Sequence, residues 1–288
     1  VTFESFAGTA LDIAVTGLLG GHSGAEIDKG RASSNILMGR LLYALGKATD
    51  MRLVSVRGGL KDNAIPNASY ASVIVKDEAA AKSVCAGMEN IFRDEYKVTD
   101  GGITVSVSGG AAAPAMDKPS TGRAVCFLMC APNGIQAMSA DIAGLVQTSL
   151  NLGVLNIEGG RARMELDVRF GLGIDAEEVV SRLGKALGGA WSVEVAMAKP
   201  VHLVPEDDPC LQALLAAYRR VTDDAEPSSV MAGGTYASYL PALVAFGPKL
   251  PGTHTGAHGI DEHVSLANIS RATDVYEEAL RAIVALAE

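Results

Sequence analysis

The chain has 288 residues, 48% of them hydrophobic, and its 24 basic and 33 acidic side chains give a net charge of −9. This composition predicts a globular chain of two or three compact units with a substantial core. No Lys/Arg cluster is present to follow a phosphate backbone, which argues against nucleic acid as a partner. No apolar run approaches the roughly 18 residues of a membrane helix, which argues against a membrane partner.

The targeting and redox signals predict a cytoplasmic location. The first residues, "VTFESFAGTALDIAV", lack the basic flank of a signal peptide. Four cysteines are scattered along the chain, which is typical of a reducing compartment. The one close pair, Cys126 and Cys130, lies in the predicted strand "AVCFLMC", and we expect core thiols there rather than a zinc knuckle.

Residues 1–110 follow the order βαββαβ. The strand "TALDIAVTGL" alternates, and the helix after it shows apolar spacing from Ile27 to Leu45, with Ser23 and Glu26 as a capping box. The strands "MRLVSVRG" and "SYASVIV" follow, then a helix that begins at Asp77, and then the strand "GITVSVSG". This order predicts a ferredoxin-like unit.

Residues 111–198 are predicted to repeat that plan after the small-residue linker "GGAAAPAMDKPSTG". The expected elements are the strand "RAVCFLMC", a helix near 139–150, the hairpin "GVLNIEGGRARMEL" with its Gly159-Gly160 turn, a helix capped by Asp175, and the strand "WSVEVAMA". The predicted fold class is therefore α/β (α+β), with two consecutive ferredoxin-like units.

Residues 199–288 have αβα character. They are predicted to contain a helix with Pro209 at its first position, the strand "ALVAFGP", a Gly/His-rich loop, and an amphipathic helix from Asn268. The number of strands is too small for a complete sheet of their own, so we expect this layer to be incomplete.

The histidines offer two kinds of site. His22 stands in "GLLGGHSGAEIDKGRA" next to a predicted helix N-terminus, where an imidazole can meet developing negative charge; the alternative is a histidine that only ends a strand. His254, His258 and His263 lie within ten positions of one loop and suggest metal binding, although their spacing matches no simple helical site.

Three further segments contain binding-type residues, each with a plainer reading. Arg169 ends the strand "MELDVRF" and can bind a carboxylate through two hydrogen bonds, or belong to a solvated sheet face. Asn63 in "KDNAIP" can bind substrate or simply serve a turn. Gly234 and Thr235 in "AGGTYAS" offer backbone N–H groups and a hydroxyl to an anion, a weak pattern by itself.

Five segments together resemble the M20 family of metallopeptidases, most closely its aminoacyl-histidine dipeptidase (carnosinase-like) type. Four of them are "GLLGGHSGAEIDKGRA", "NAIP", "SLNLGVL" and "GAHGIDEHVSL", and the fifth, "GGTYASYLPALVAFGP", is more similar to the neighbouring branch of broad-specificity dipeptidases. The segments occur in the family's order across essentially the whole chain. The resemblance implies a catalytic domain with two zinc ions that is interrupted by a lid domain. Residues 1–110 and 111–198 would be the two lid units, and 199–288 the C-terminal part of the catalytic domain.

The resemblance also implies roles for individual residues. His22 would stabilise the tetrahedral oxyanion, Asn63 would hold the substrate, and Arg169, Gly234 and Thr235 would bind its C-terminal carboxylate. His258 would be a zinc ligand. His254 and His263 match no assigned position.

The family's other zinc ligands and its general base have no counterpart here. No histidine is followed by x-Asp, and the two Glu-Glu pairs fall within predicted helices. We therefore expect the C-terminal part of a longer zinc dipeptidase acting on Xaa-His dipeptides, with this chain inactive alone and binding zinc weakly. The alternatives are deacylation of N-acyl amino acids, and a non-catalytic module that forms a homodimer through the lid.

Overall fold

The computed structural model describes residues 2–171, 174–187, 192–199, 202–230, 235–240, 243–246, 250–253 and 262–287. The chain divides into two compact units, Val1–Glu194 and Val195–Glu288.

The first unit has mixed α/β structure, as the sequence predicts. Its strands are β1 (Phe3–Glu4), β2 (Thr9–Thr16), β3 (Gly21–His22), β4 (Met51–Gly58), β5 (Ala64–Ile65), β6 (Ser69–Val75), β7 (Thr104–Gly109), β8 (Ala115–Met116), β9 (Gly134–Met138), β10 (Val146–Glu158) and β11 (Arg161–Arg169). Its helices are α1 (Ser34–Ala48), α2 (Glu78–Glu95), α3 (Lys118–Cys130) and α4 (Ala176–Leu187).

The central sheet is antiparallel and has the order β11-β10-β4-β6-β2-β7, with β9 also paired to β10. The elements β2-α1-β4-β6-α2-β7 confirm the βαββαβ order predicted for the first part of the chain. The hairpin of β10 and β11 then extends the same sheet beyond β4. Two short ladders, β1 with β8 and β3 with β5, lie outside it.

The core of this unit lies between the sheet and the helices. Alternate residues of β2 point into it, and α1 contributes one apolar face, as their periodicities predict. The fully buried large side chains include Leu11, Ile13, Leu37, Leu41, Leu45, Leu53 and Phe92. Asp77 caps α2 by accepting a hydrogen bond from the backbone N–H of Ala80, which confirms the predicted helix start.

Helix α1 begins later than predicted, and the capping box assigned to Ser23 and Glu26 is wrong. Only a single 3-10 turn, Ile27–Lys29, forms in the predicted first turns. The chain is extended at Ser33, and the N–H of Ala32 is bonded to a distant carboxylate, so the helix starts at Ser34. Long-range hydrogen bonding here overrides the local helical spacing.

The prediction of a strand at residues 123–130 is wrong, because this segment belongs to helix α3. Asp117 caps the helix by accepting a hydrogen bond from Ser120, and Pro119 occupies its first turn. The buried residues Thr121, Ala124, Val125 and Leu128 recur at helical spacing. A short apolar run is compatible with either a helix or a strand. The residues that signal the helix start, Asp117 and Pro119, lie in the segment that the sequence predicts as a linker.

The two cysteines of α3 are not core thiols. Cys126 and Cys130 are exposed, Cys210 is half-buried, Cys85 is buried, and all four are free thiols. Burial raises the pKa of the Cys85 thiol to about 11. The prediction of core thiols therefore fails for the close pair, since the helix turns both side chains away from the sheet.

The helix predicted near residues 139–150 is also wrong. β10 begins at Val146 and is paired on its two sides with β9, β4 and β11, so extended pairing determines its conformation. The Gly159-Gly160 turn and helix α4 after Asp175 are as predicted. The order in this region is α3-β9-β10-β11-α4.

The strand predicted at "WSVEVAMA" is absent from its described part, residues 192–198. Val193, Val195 and Met197 are all exposed there. A strand requires a neighbouring strand for its backbone hydrogen bonds, and none of the described strands pairs with this segment.

The second unit consists, in its described residues, of helices α5 (Pro209–Thr222) and α6 (Leu266–Ala287) with a 3-10 turn at Tyr236–Tyr239. Pro209 opens α5 as predicted, and α6 begins two residues before the predicted start. Leu214, Ala217 and Ala279 are buried between the helices. Residues 243–246 of the predicted strand "ALVAFGP" form no strand, and the described part of this unit offers no strand to pair with them. None of the described helices combines the length and the apolarity that crossing a membrane requires.

Candidate functional site

The loop that carries His22 is fixed at both ends by one carboxylate. Asp100 is buried, and its Oδ1 accepts a hydrogen bond from the backbone N–H of Leu19 at 2.6 Å. Its Oδ2 accepts one from the backbone N–H of Ala32 at 2.8 Å. Because both ends of the segment are held by the same side chain, the loop between them is held in a closed shape. We define residues 19–32 as the histidine loop.

Gly21 makes room for a charged pair inside the histidine loop. It has a φ of +143°, and a β-carbon there would lie 2.4 Å from Nη1 of Arg31 and 2.7 Å from Oε2 of Glu26. A larger residue would therefore displace both side chains. The Arg31 guanidinium in turn contacts Glu26 at 3.0 Å and donates to the carbonyl of Gly20.

Glu26 links the charges of the loop to the backbone of His22. Its Oε2 accepts the N–H of His22 at 2.9 Å, and its Oε1 lies 2.9 Å from the ammonium of Lys29. The hydrogen bond from Lys29, the backbone N–H of His22 and the charge of Arg31 lower the pKa of Glu26 to about 2. Glu26 is thus a carboxylate throughout the ordinary pH range and holds the backbone beneath the imidazole.

The histidine loop also sets the proton position on the His22 ring. Nδ1 accepts hydrogen bonds from the backbone N–H groups of Gly24, at 3.0 Å, and Ala25, at 3.1 Å. A backbone N–H can only donate, so Nδ1 is the unprotonated nitrogen, and the neutral ring carries its proton on Nε2. The half-buried imidazole therefore presents an N–H donor at Nε2, the type of group that can stabilise a developing oxyanion.

A two-residue ladder brings Asn63 next to His22. β3 pairs with β5 so that His22 lies opposite Ala64, and the N–H of Ser23 donates to the carbonyl of Asn63 at 3.0 Å. Asn63 itself is exposed. Its segment is held by buried Asn151, whose Nδ2 donates to the carbonyls of Asp62, at 2.7 Å, and Ala64, at 2.9 Å. Asn151 belongs to the segment "SLNLGVL", for which sequence reasoning found no role.

Arg169 meets the histidine loop from the end of β11. Its Nε and Nη2 each donate to Oδ2 of Asp167 at 2.9 Å, and the hydroxyl of Ser23 donates to the same oxygen. The guanidinium lies against Gly24, where a β-carbon would be 2.5 Å from Nη1. The two predicted site residues His22 and Arg169, 147 positions apart, thus lie on either side of the Ser23-Gly24 dipeptide.

The remaining predicted site residues belong to the second unit. Thr235 caps the 3-10 turn Tyr236–Tyr239, its hydroxyl accepting the N–H of Ala237 at 3.2 Å. Gly234 and His258, like His254, lie outside the described residues. Among the residues that are described, no group of three or more His, Cys, Asp or Glu side chains is placed to hold a metal ion. The described residues therefore do not fit a pair of zinc ions.

Sequence reasoning missed the residues that position the site. Strand alternation predicts Asp167 and Arg169 on the same face of β11, and this spacing by itself indicates that the two side chains can meet. Ser23 was assigned to a helix cap instead of to Asp167. Nothing in the local sequence distinguishes Asp100, because its two partners lie 68 and 81 positions away.

Peptidase family models match most of this chain. The model of Peptidase family M20/M25/M40 matches residues 66–282, and that of the peptidase dimerisation domain matches residues 13–100. The cytosol non-specific dipeptidase of Escherichia coli K12 is 27% identical over 295 residues, covering 98% of this chain and 58% of that protein.

A solved dipeptidase structure shares the fold of most of this chain. The chain resembles the crystal structure of aminoacylhistidine dipeptidase from Vibrio alginolyticus with a TM-score of 0.71 and 25% identity, over 81% of this chain and 49% of that one. The chain thus spans about half the length of the proteins it matches. With three quarters of its residues within the family model and its fold shared with a dipeptidase, the chain belongs to peptidase family M20/M25/M40.

Proposed function

We propose that this chain supplies the substrate-binding part of an enzyme that hydrolyses dipeptides. The observation that carries the proposal is the position of the Arg169 guanidinium beside Gly24, two residues from His22. A dipeptide has a free carboxylate a few ångströms from its single peptide carbonyl. The cluster therefore offers a cation for the first group and an N–H donor for the second.

In this proposal each residue has one task. The Arg169 guanidinium binds the C-terminal carboxylate of the substrate. Nε2–H of His22 donates to the carbonyl oxygen and stabilises the negative charge that develops on it when water attacks. The side-chain amide of Asn63 bonds to the substrate backbone. A carboxylate-binding role for Gly234 and Thr235 of the second unit is proposed from the sequence resemblance alone.

Membership of the peptidase family supports the proposal that the reaction uses zinc. The parent reaction would use two zinc ions, of which His258 would bind one, and their chemistry is activation of the attacking water. Because His258 is the one residue of this sequence that matches a zinc ligand of the family, we propose that this chain alone binds zinc weakly and does not hydrolyse peptides. Preference for Xaa-His dipeptides and a cytoplasmic location belong to the same proposal.

Binding to the isolated chain tests the carboxylate site. Isothermal titration with an Xaa-His dipeptide and with its C-terminal amide should show binding that requires the free carboxylate. Arg169→Met should abolish the difference between the two ligands. Arg163→Met, an exposed arginine on the same strand, should leave it intact. Equal binding of acid and amide by the unaltered chain would contradict the proposal.

Two other functions are separable from this one. N-acyl amino acids also present an amide near a carboxylate, so a panel of both ligand classes should be titrated, and stronger binding of the acyl amino acids would favour deacylation. The match of residues 13–100 to a dimerisation domain favours a homodimer formed through the lid. β7 is a terminal strand of the sheet and offers an edge for such pairing. Concentration-dependent sedimentation, unchanged by His22→Ala, would support dimer formation independently of the binding site.

A further inference from the structure

Three sulfur atoms share the exposed face of helix α3. Cys126, Met129 and Cys130 stand at positions i, i+3 and i+4, which are neighbours on a helix surface. All three are exposed, Met129 to 41%. The buried side of the helix, with Ala124, Val125 and Leu128, is opposite. Packing against the core therefore explains none of the three side chains.

Helical spacing brings the two cysteines together on this face. Residues four apart on a helix are neighbours, with β-carbons about 5–6 Å apart, so both sulfurs can contact one small ion after rotation about their side-chain bonds. Met129 lies on the same surface one turn after Cys126, and its flexible thioether can provide a third donor.

The sulfur donors and their position at the C-terminal end of α3 both indicate which ion the site would bind. Thiol and thioether sulfurs are soft donors that favour Cu(I), whereas Mg²⁺ and Ca²⁺ require oxygen. Structural zinc requires four ligands, and no described group of three or more His, Cys, Asp or Glu side chains includes this pair. Cys130 is the last residue of α3, and the partial negative charge at a helix C-terminus favours a cation.

We propose that Cys126 and Cys130, with Met129 as a third donor, form a binding site for one Cu(I) ion. Binding forms two copper–thiolate bonds and releases the two thiol protons to solvent. The copper enters and remains as Cu(I), so no oxidant or reductant takes part. The site is on helix α3, whereas the peptide-binding cluster is formed by the histidine loop and the end of β11, and it does not depend on the proposed peptidase function.

A competition titration tests the site. The reduced chain, free of oxygen, is titrated into a Cu(I)–bicinchoninate complex, and the loss of the complex's colour gives stoichiometry and affinity. We expect one copper per chain. Loss of a hydrogen bond that supports a ligand costs about 10–100-fold in affinity, so Cys126→Ser or Cys130→Ser should cost at least that. Met129→Leu should cost less.

Cys210→Ser is the matched control, because Cys210 is the next most accessible thiol. This variant should bind copper as the unaltered chain does, and circular dichroism should show that all the variants fold. The proposal is overturned if the chain takes no copper from the chelator, if Cys126→Ser retains full affinity, or if Cys210→Ser removes the binding.

Discussion

The guanidinium of Arg169 occupies the space beside Gly24 in which any other residue would place its β-carbon, 2.5 Å from Nη1. Gly24 is required here for space, because its backbone conformation is one that other residues adopt. Gly24→Ala should therefore push the guanidinium off the histidine loop and, because this weakens its contacts with Asp167, lower the free energy of unfolding by about 1–3 kcal/mol. The Nε–Hε resonance of Arg169 in ¹⁵N NMR spectra should move.

A second glycine serves as the control for that substitution. Gly87 lies in the middle of α2, and a β-carbon there meets nothing within 4 Å. Gly87→Ala should stabilise the chain by about 0.5–1 kcal/mol and leave the Arg169 resonance in place. An unmoved resonance in Gly24→Ala would refute the steric argument.

Asp167 should govern how firmly Arg169 is held. Asp167→Asn removes the charge that accepts two hydrogen bonds from Arg169 and one from Ser23. We expect a loss of about 1–3 kcal/mol in unfolding free energy and faster exchange of the Arg169 Nε proton with water. Glu165→Gln makes the equivalent change in an exposed pair on the same strand, with Arg163. It should cost less than about 1 kcal/mol, and an equal cost in both variants would contradict the prediction.

Asp100 should control the order of the whole histidine loop. Asp100→Ala leaves the N–H groups of Leu19 and Ala32 without their acceptors and should cost about 2–4 kcal/mol. Hydrogen exchange should accelerate throughout residues 19–32. Asp94→Ala, which removes an exposed partner of Lys97, should change stability by less than about 0.5 kcal/mol. Unchanged exchange in the loop of Asp100→Ala would show that other contacts suffice to hold it.

The depressed pKa of Glu26 gives the histidine loop an acid sensitivity. The ordinary pKa of 4.5 falls to about 2 in the folded chain, so the unfolded chain binds the proton more readily. The stabilisation from Glu26 is fully present above pH 4.5 and is lost as the pH falls through about 2. The difference in unfolding free energy between the unaltered chain and Glu26→Gln should therefore shrink across that range. A constant difference would contradict the assigned contacts.

Local signals predicted the elements whose own residue pattern distinguishes strand, helix or turn, even where, as for β2, the paired strands are distant in sequence. The strands of the first βαββαβ unit, the cap at Asp77 and the Gly159-Gly160 turn all follow from nearby residues. The start of α1 and the conformation of β10 did not, because partners such as Asp100 and β4 are distant in sequence. Cys126 and Cys130 were placed in a strand since a run of eight residues does not separate a period of 2 from one of 3.6.

The candidate site also combines residues that the sequence predicts with supporting residues that it does not. His22, Asn63 and Arg169 could be selected from residue type and motif, and the fold brings all three to the histidine loop. Their supports, Asp100, Asp167 and Asn151, each act between segments far apart in the chain. Such contacts become visible only in three dimensions. The roles proposed for all the site residues, Gly234, Thr235 and His258 included, stay predictions.

The β10–β11 hairpin joins the remainder of the sheet through a short ladder, in which only Leu155, Asn156 and Ile157 pair with β4. Buried Leu152, Leu155 and Ile157 of β10 belong to the core of the first unit, and Asn151 is bonded to the segment of Asn63, so packing holds the hairpin where the ladder is short. Arg169 therefore stays beside the histidine loop only while that packing is intact. A ligand that bridges Arg169 and His22 would bind the packed form alone and would stabilise it by mass action.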